Sequence, residues 1–200
     1  MQWPSRTVII FGLLGFALQC SAENGLVRVG MDGGFGEADV QVSGSDRTES
    51  PYTFAFLIDY QLTSTLVLGV EHYRSLVDDD GPSSGVGFTG VFGKFFFGSM
   101  RTQNLPKNDV ISQDEIIVKG YFPYVGVSAG VGQASLRALD ATTGGDRSLS
   151  VGGYVGGKIG VEYPLQRDFT LFAEASFAMT VMGTGTIYFP RAAVGVMYEL

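Results

Sequence analysis

Apolar and polar side chains alternate with a period of two along much of the chain. The clearest run is Ser150 to Tyr163. Val151, Gly153, Val155, Gly157, Ile159, Val161 and Tyr163 share one parity, while Ser150, Gly152, Tyr154, Gly156, Lys158, Gly160 and Glu162 share the other. Successive strand residues point to opposite faces, so this pattern predicts a strand with one apolar and one polar face. From Thr170 to Thr180, Leu171, Ala173, Ala175, Phe177 and Met179 oppose Glu174 and Ser176. Val27, Val29, Met31 and Phe35 oppose Arg28 and Asp32, and Phe54, Phe56, Ile58 and Tyr60 oppose Ala55, Asp59 and Gln61. Leu66, Leu68 and Val70 oppose Glu71 and Tyr73, and Val125, Val127, Ala129 and Val131 oppose Tyr124, Gly126, Ser128 and Gly130. In Gly85 to Gly98, Lys94 opposes Val91, Phe95 and Phe97, with Phe88, Phe92 and Phe96 blurring the split. The last run, Thr186 to Leu200, sets Val194, Val196, Tyr198 and Leu200 against Arg191, Gly195 and Glu199. Eight strands are predicted.

The connections alternate in length. Thr63 to Thr65 and Pro164 to Asp168 read as tight turns, whereas Val42 to Pro51, Val77 to Ser84 and Ala134 to Arg147 read as longer polar loops. Ser99 to Lys119 breaks the alternation, and its Asp114 to Val118 portion is expected as a short helix or strand extension. The first 22 residues are set apart. Arg6 is followed by the apolar run Val8 to Leu18 and then Gln19-Cys20-Ser21-Ala22, the order of a secretory signal peptide cleaved after Ala22. A membrane-spanning helix needs about 20 apolar residues, more than this run offers. The competing reading is lipidation at Cys20, for which Gln19 is a poor preceding residue. Residues 23–200 then form one domain.

Composition decides which face is which. Only 16% of residues are charged and 29 of 200 are glycine, so a water-facing outer wall built from the polar parity would be mostly Gly and Ser. A soluble sheet ordinarily keeps Lys and Glu on such a wall. Turned inward, the small residues leave room for large ones in the narrow lumen of an eight-stranded barrel. No later stretch is a candidate spanning helix, so membrane crossing requires a closed antiparallel up-and-down transmembrane β-barrel. Arg28, Lys94, Lys158 and Arg191 then share the interior with Asp32, Asp59, Glu71, Glu162, Glu174 and Glu199. Buried charges persist when paired, so the expected lumen is packed with ion pairs and a few waters, with no open pore. Tyr60, Phe95, Phe97, Tyr121, Tyr163, Phe169 and Tyr198 fall at one rim and Tyr52, Phe54, Phe177 and Tyr188 near the other, as interfacial girdles do. Short turns belong in the periplasm and long loops outside the cell.

The ending Ala193 to Leu200 resembles the C-terminal assembly signal of bacterial outer-membrane barrels at Gly195, Tyr198 and Leu200, although Ala193 is not polar and the last residue is Leu in place of Phe. With Tyr124 to Gly132 and the signal peptide, the mature chain resembles the small eight-stranded barrels of the OmpA, OmpX and opacity-protein type. That resemblance implies a Gram-negative outer membrane, contact with its lipid and lipopolysaccharide, and insertion by the barrel-assembly machinery.

Other chemistry is sparse. A net charge of -7 without a basic cluster argues against nucleic acid. One Cys and one His supply neither a zinc site nor a disulfide framework, and no cofactor is expected. Gly85 to Gly90 matches G-x-G-x-x-G but continues as strand where a dinucleotide site needs a helix. Asp78 to Asp80 lacks the rest of a calcium loop. Some outer-membrane barrels modify lipid A with a His, a Ser and a carboxylate; here His72 differs in parity from both Glu71 and Ser75, so anchoring at the headgroup boundary is expected instead. The expected protein is a monomeric, non-enzymatic scaffold displaying extracellular loops for envelope integrity, adhesion or binding of a ligand or host surface. A narrow porin-like channel and a lipid A-modifying enzyme are the alternatives.

Overall fold

The computed structural model describes residues 26–42, 45–49, 52–76, 85–98, 120–135, 149–166, 168–183 and 185–200. Among the described residues ten strands appear: β1 (Leu26–Gly36), β2 (Ala38–Val42), β3 (Ser45–Glu49), β4 (Tyr52–Gln61), β5 (Leu66–Leu76), β6 (Gly85–Phe96), β7 (Phe122–Ser135), β8 (Leu149–Gln166), β9 (Phe169–Met182) and β10 (Gly185–Glu199). β1 and β4 to β10 pair antiparallel in chain order, and β10 closes on β1. These eight staves form the barrel.

Register fixes the barrel's geometry. Following paired residues from Leu26 leads through Gln61, Val67, Lys94, Gly126, Lys158, Ser176 and Arg191 to Gly36, ten residues beyond the start on the same strand. A stagger of that size tilts the strands by about 40° and leaves an interior that side chains can fill. Lys94, Lys158 and Arg191 thus lie on a single hydrogen-bonded line around the wall, with Gly126 between the two lysines.

Within the segment Val42 to Pro51, expected as a loop, Ser45–Glu49 is corrected to strand, pairing with β2 as a continuation of the first hairpin. Gly36 pairs with Arg191 and Asp39 with Tyr188 in one unbroken register. β1 and β2 are separated only at Glu37, which donates its N–H to the Pro190 carbonyl at 3.0 Å; Pro190 has no N–H to return. Likewise Phe35 pairs with Tyr52 and Ala38 with Glu49. Backbone ladders do not depend on side-chain polarity, so strand persists where the apolar alternation has ended. Pro164 to Asp168 is corrected as well: β8 runs through Gln166 with a register shift after Pro164, a proline again marking the irregularity. The β4–β5 turn is tight as expected, with Thr63 Oγ1 accepting from the N–H groups of Thr65 and Leu66 at 3.2 and 3.0 Å.

Burial follows parity. Val127, Val155, Ile159 and Val194 are 56–69% exposed on the outer wall, while Lys158, Glu162 and Arg28 are buried inside. Val27 is an exception, outward in parity yet buried at the end of the barrel where Leu26 and Leu200 lie. Call this the terminal end, and the opposite one the loop end. Residues 1–22 with Cys20, residues 77–84 with the acidic run, and residues 99–119 lie outside the described set.

Candidate functional site: the filled lumen and the outer wall

The half of the lumen nearer the terminal end is ionic. Arg28 on β1 faces its register partner Asp59 on β4, donating from Nε and Nη2 to the two carboxylate oxygens, both at 2.8 Å. Its Nη1 reaches across the barrel to Glu162 on β8 at 2.6 Å, and the same carboxylate accepts from Lys94 on β6 at 3.1 Å. Midway up, Lys158 donates to Glu71 at 2.5 Å and sits 3.4 Å from Glu174. Arg191 pairs with Asp32, lies 3.9 Å from Glu174, and donates from Nε to Thr53 Oγ1 at 3.0 Å. Tyr124 and Tyr154 complete the carboxylate shells, donating to Glu174 at 2.8 Å and to Glu71 at 3.2 Å. Nine of the ten charges read from the sequence are therefore buried in two ion-paired groups, and Glu199, half-buried, stands opposite Arg28 in register. Removing one partner from such a set costs about 3–5 kcal/mol, because the other charge is left buried and unpaired.

The half nearer the loop end is aromatic. Tyr73 stacks on Phe88 with ring centroids 4.6 Å apart and on Phe189 at 6.1 Å. Tyr154 meets Phe88 edge-on at 5.3 Å. These rings come from β5, β6, β8 and β10, on different sides of the barrel, and all four are buried. Val86, Ala134, Ile187 and Met182 close the interior above them. Rings also line the ionic half, where Phe96 meets Tyr124 at 5.3 Å, Lys94 lies 4.7 Å from the Tyr124 ring and Lys158 4.8 Å from Phe92; Arg191, 5.3 Å from Tyr73, ties this half to the aromatic one. Sequence reading placed ion pairs and waters in the lumen and missed this plug. The available signal was the shared parity of Phe88, Phe92 and Phe96 with Lys94, which assigns all three to the inside.

The inward glycines are cut to fit these side chains. A Cβ on Gly90 would lie 2.5 Å from the Tyr154 hydroxyl, and one on Gly69 2.4 Å from the tip of Phe92. Outward Gly153 and Gly157 have nothing within 4 Å.

On the outer wall, paired rings mark both rims: Tyr121 with Tyr163 at 5.1 Å and Phe169 with Tyr198 at 5.0 Å near the terminal end, Phe35 with Tyr52 at 5.2 Å and Phe177 with Tyr188 at 6.2 Å nearer the loop end. Between these girdles the wall is apolar apart from a few polar side chains on β5 to β7 near the loop end, the arrangement lipid requires. The chain has the fold of the small eight-stranded outer-membrane barrels. It is similar to the crystal structure of Neisserial surface protein A, with a TM-score of 0.65, 17% identity, and coverage of 89% of this chain and 100% of that one. It is also similar to Ail, the attachment invasion locus protein of Yersinia pestis, with a TM-score of 0.51, 11% identity, and coverage of 86% and 98%. Ail in complex with the heparin analogue sucrose octasulfate matches with a TM-score of 0.50, 11% identity, and coverage of 87% and 99%. No family model matches the sequence, and no curated protein does.

Within this outer-membrane barrel, Glu71, His72 and Ser75 do not meet. Glu71 points inward to Lys158. Ser75 is buried and exchanges hydrogen bonds with the backbone of Val86, donating to its carbonyl at 3.1 Å and accepting from its N–H at 2.9 Å. His72 faces outward, with Nδ1 2.8 Å from Thr89 Oγ1. Gly85 to Gly90 lies in β6, so no helix follows it. Among the described residues no group of three or more His, Cys, Asp or Glu could hold a metal. Gly195 and Tyr198, read as parts of an assembly signal, lie in β10; a Cβ on Gly195 would be crowded by Phe172 and Asp32, and Tyr198 meets Phe169 in the girdle at a tilt of 56°. Leu200 is exposed and donates its N–H to the Val27 carbonyl at 3.0 Å.

Proposed function

We propose that the protein is a closed scaffold in the outer membrane that holds its loop end at the cell surface, serving envelope integrity, adhesion or capture of an outside molecule. Its terminal end faces the periplasm. The observation carrying this reading is the filled interior: ion pairs with rings between them occupy one half, stacked rings the other, and Arg191 against Tyr73 joins the two. Such a lumen offers solute no path, which weighs against the channel reading. Recording in planar bilayers should give little or no steady single-channel current, and a reproducible ohmic conductance from purified barrel overturns the proposal.

The surface chemistry favours a neutral or cationic partner. The first hairpin carries Glu37, Asp39, Asp46 and Glu49 against Arg47, and like charges facing a ligand cost affinity and slow its approach. A sulfated sugar of the kind bound to Ail is thus the wrong charge for this hairpin. Protease treatment of intact cells should cleave within the loops and leave the staves protected.

The separation of His72 from Ser75 and Glu71 supports a non-enzymatic role. Mass spectra of lipid A from cells expressing wild type and His72→Ala should be identical; a difference revives the enzyme reading.

A further inference from the structure

The outer wall is apolar between the girdles except at one place near the loop end. His72 and Arg74 on β5, Thr89 on β6 and Gln133 on β7 all have outward parity. His72 and Thr89 are register partners joined by a 2.8 Å hydrogen bond. Arg74 and Gln133 both pair with Gly87, one from each side. A Cβ on Gly87 would meet nothing closer than the Tyr73 carbonyl at 3.8 Å, so the glycine forms the floor of a notch with Arg74 on one wall and Gln133 on the other. Phe54, the other register partner of Arg74, stands next to the Phe35 and Tyr52 girdle. The notch therefore opens at headgroup depth.

We infer that this notch binds a phosphate on the headgroup of an outer-leaflet lipid, the phosphorylated diglucosamine of lipid A. Arg74 supplies the cation; among residues with described side chains it is the one outward Arg or Lys, and no described carboxylate is ion-paired with it. Its planar fork matches two phosphate oxygens. With Nδ1 held by Thr89, the His72 ring is oriented and Nε2 is left as the second polar group. Gln133 adds an amide able to donate to phosphate or to accept from a sugar hydroxyl. A lipid brings its phosphate to this depth by its own position in the bilayer, whereas a soluble anion would have to enter an apolar surface.

The test is native mass spectrometry of the purified full barrel reconstituted with lipid A carrying two phosphates, with fully dephosphorylated lipid A, or with phosphatidylglycerol. The two-phosphate form should be retained by wild type about tenfold more than either comparison lipid, the scale of a charge-assisted bidentate contact. Arg74→Gln should lose about that tenfold and His72→Gln severalfold, whereas Thr186→Ala, outward on β10, should match wild type. Equal retention of dephosphorylated lipid A by wild type overturns the inference without recourse to any variant, and so does equal retention of phosphatidylglycerol. Unchanged retention by a folded Arg74→Gln barrel, checked by heat-modifiable migration, does the same. None of these outcomes depends on conductance, so the closed-scaffold reading stands or falls separately.

Discussion

The two halves of the lumen solve one problem with different materials. Toward the terminal end, long charged side chains from distant strands meet: Arg28 spans from Asp59 to Glu162, and Lys158 lies between Glu71 and Glu174. Toward the loop end, Tyr73, Phe88, Tyr154 and Phe189 fill space by ring packing. The ionic half is chemically demanding and geometrically forgiving, since a lysine or arginine stem can bend to keep its partner. The aromatic half is the reverse. It tolerates loss of a polar atom better than loss or gain of volume.

The largest effect expected from breaking this contrast comes from Glu162→Ala. It leaves Arg28 and Lys94 facing each other without their shared carboxylate, and should cost about 3–5 kcal/mol, read as a lower urea midpoint for the barrel in lipid vesicles. Phe88→Ala should cost about 3 kcal/mol through the cavity it opens. If Phe88→Leu restores most of that while Glu162→Gln restores little, volume rules one half and charge the other; the opposite pattern of rescue removes the distinction. Gly130→Ala comes third. Its methyl would lie 2.2 Å from the Thr89 carbonyl and 2.8 Å from the Tyr154 ring, and overpacking of this kind costs about 1–3 kcal/mol. Gly126→Ala should cost less, because part of its crowding is the Lys158 stem at 2.8 Å, although the Gly93 carbonyl at 2.7 Å is also close. Smallest is Gly157→Ala on the open outer wall, expected to stabilise by about 0.4–1 kcal/mol through the unfolded chain. A loss there comparable to that at Gly130 contradicts the assignment of the two faces.

The staves were legible because lipid imposes a strict rule on alternate residues: Val155, Ile159 and Val194 have no acceptable polar substitute on that wall. The inward charges were legible for the same reason, being excluded from it. Their partners were not. Arg28 and Glu162 are far apart in sequence, and their meeting follows from the ten-residue stagger, which no local pattern encodes. The inward aromatics were hidden because a ring suits either face: Phe92 inside and Phe95 outside look alike to a hydropathy count. Strands β2 and β3 were hidden because beyond the bilayer nothing demands alternation, and Ser45 to Glu49 carries none. At His72, parity alone gave the orientation, but the notch floored by Gly87 needed the pairing of three strands.

The unbroken register of the first hairpin has an engineering consequence. From Ala38 to Val42 the ladder continues for five residues, about 17 Å of extended chain, anchored on one side by β10 and on the other by β3. A short tag spliced between Val42 and Ser45 would ride on a stiff stalk rooted in the barrel wall, with its stand-off from the barrel set by backbone hydrogen bonds and independent of the tag's own folding.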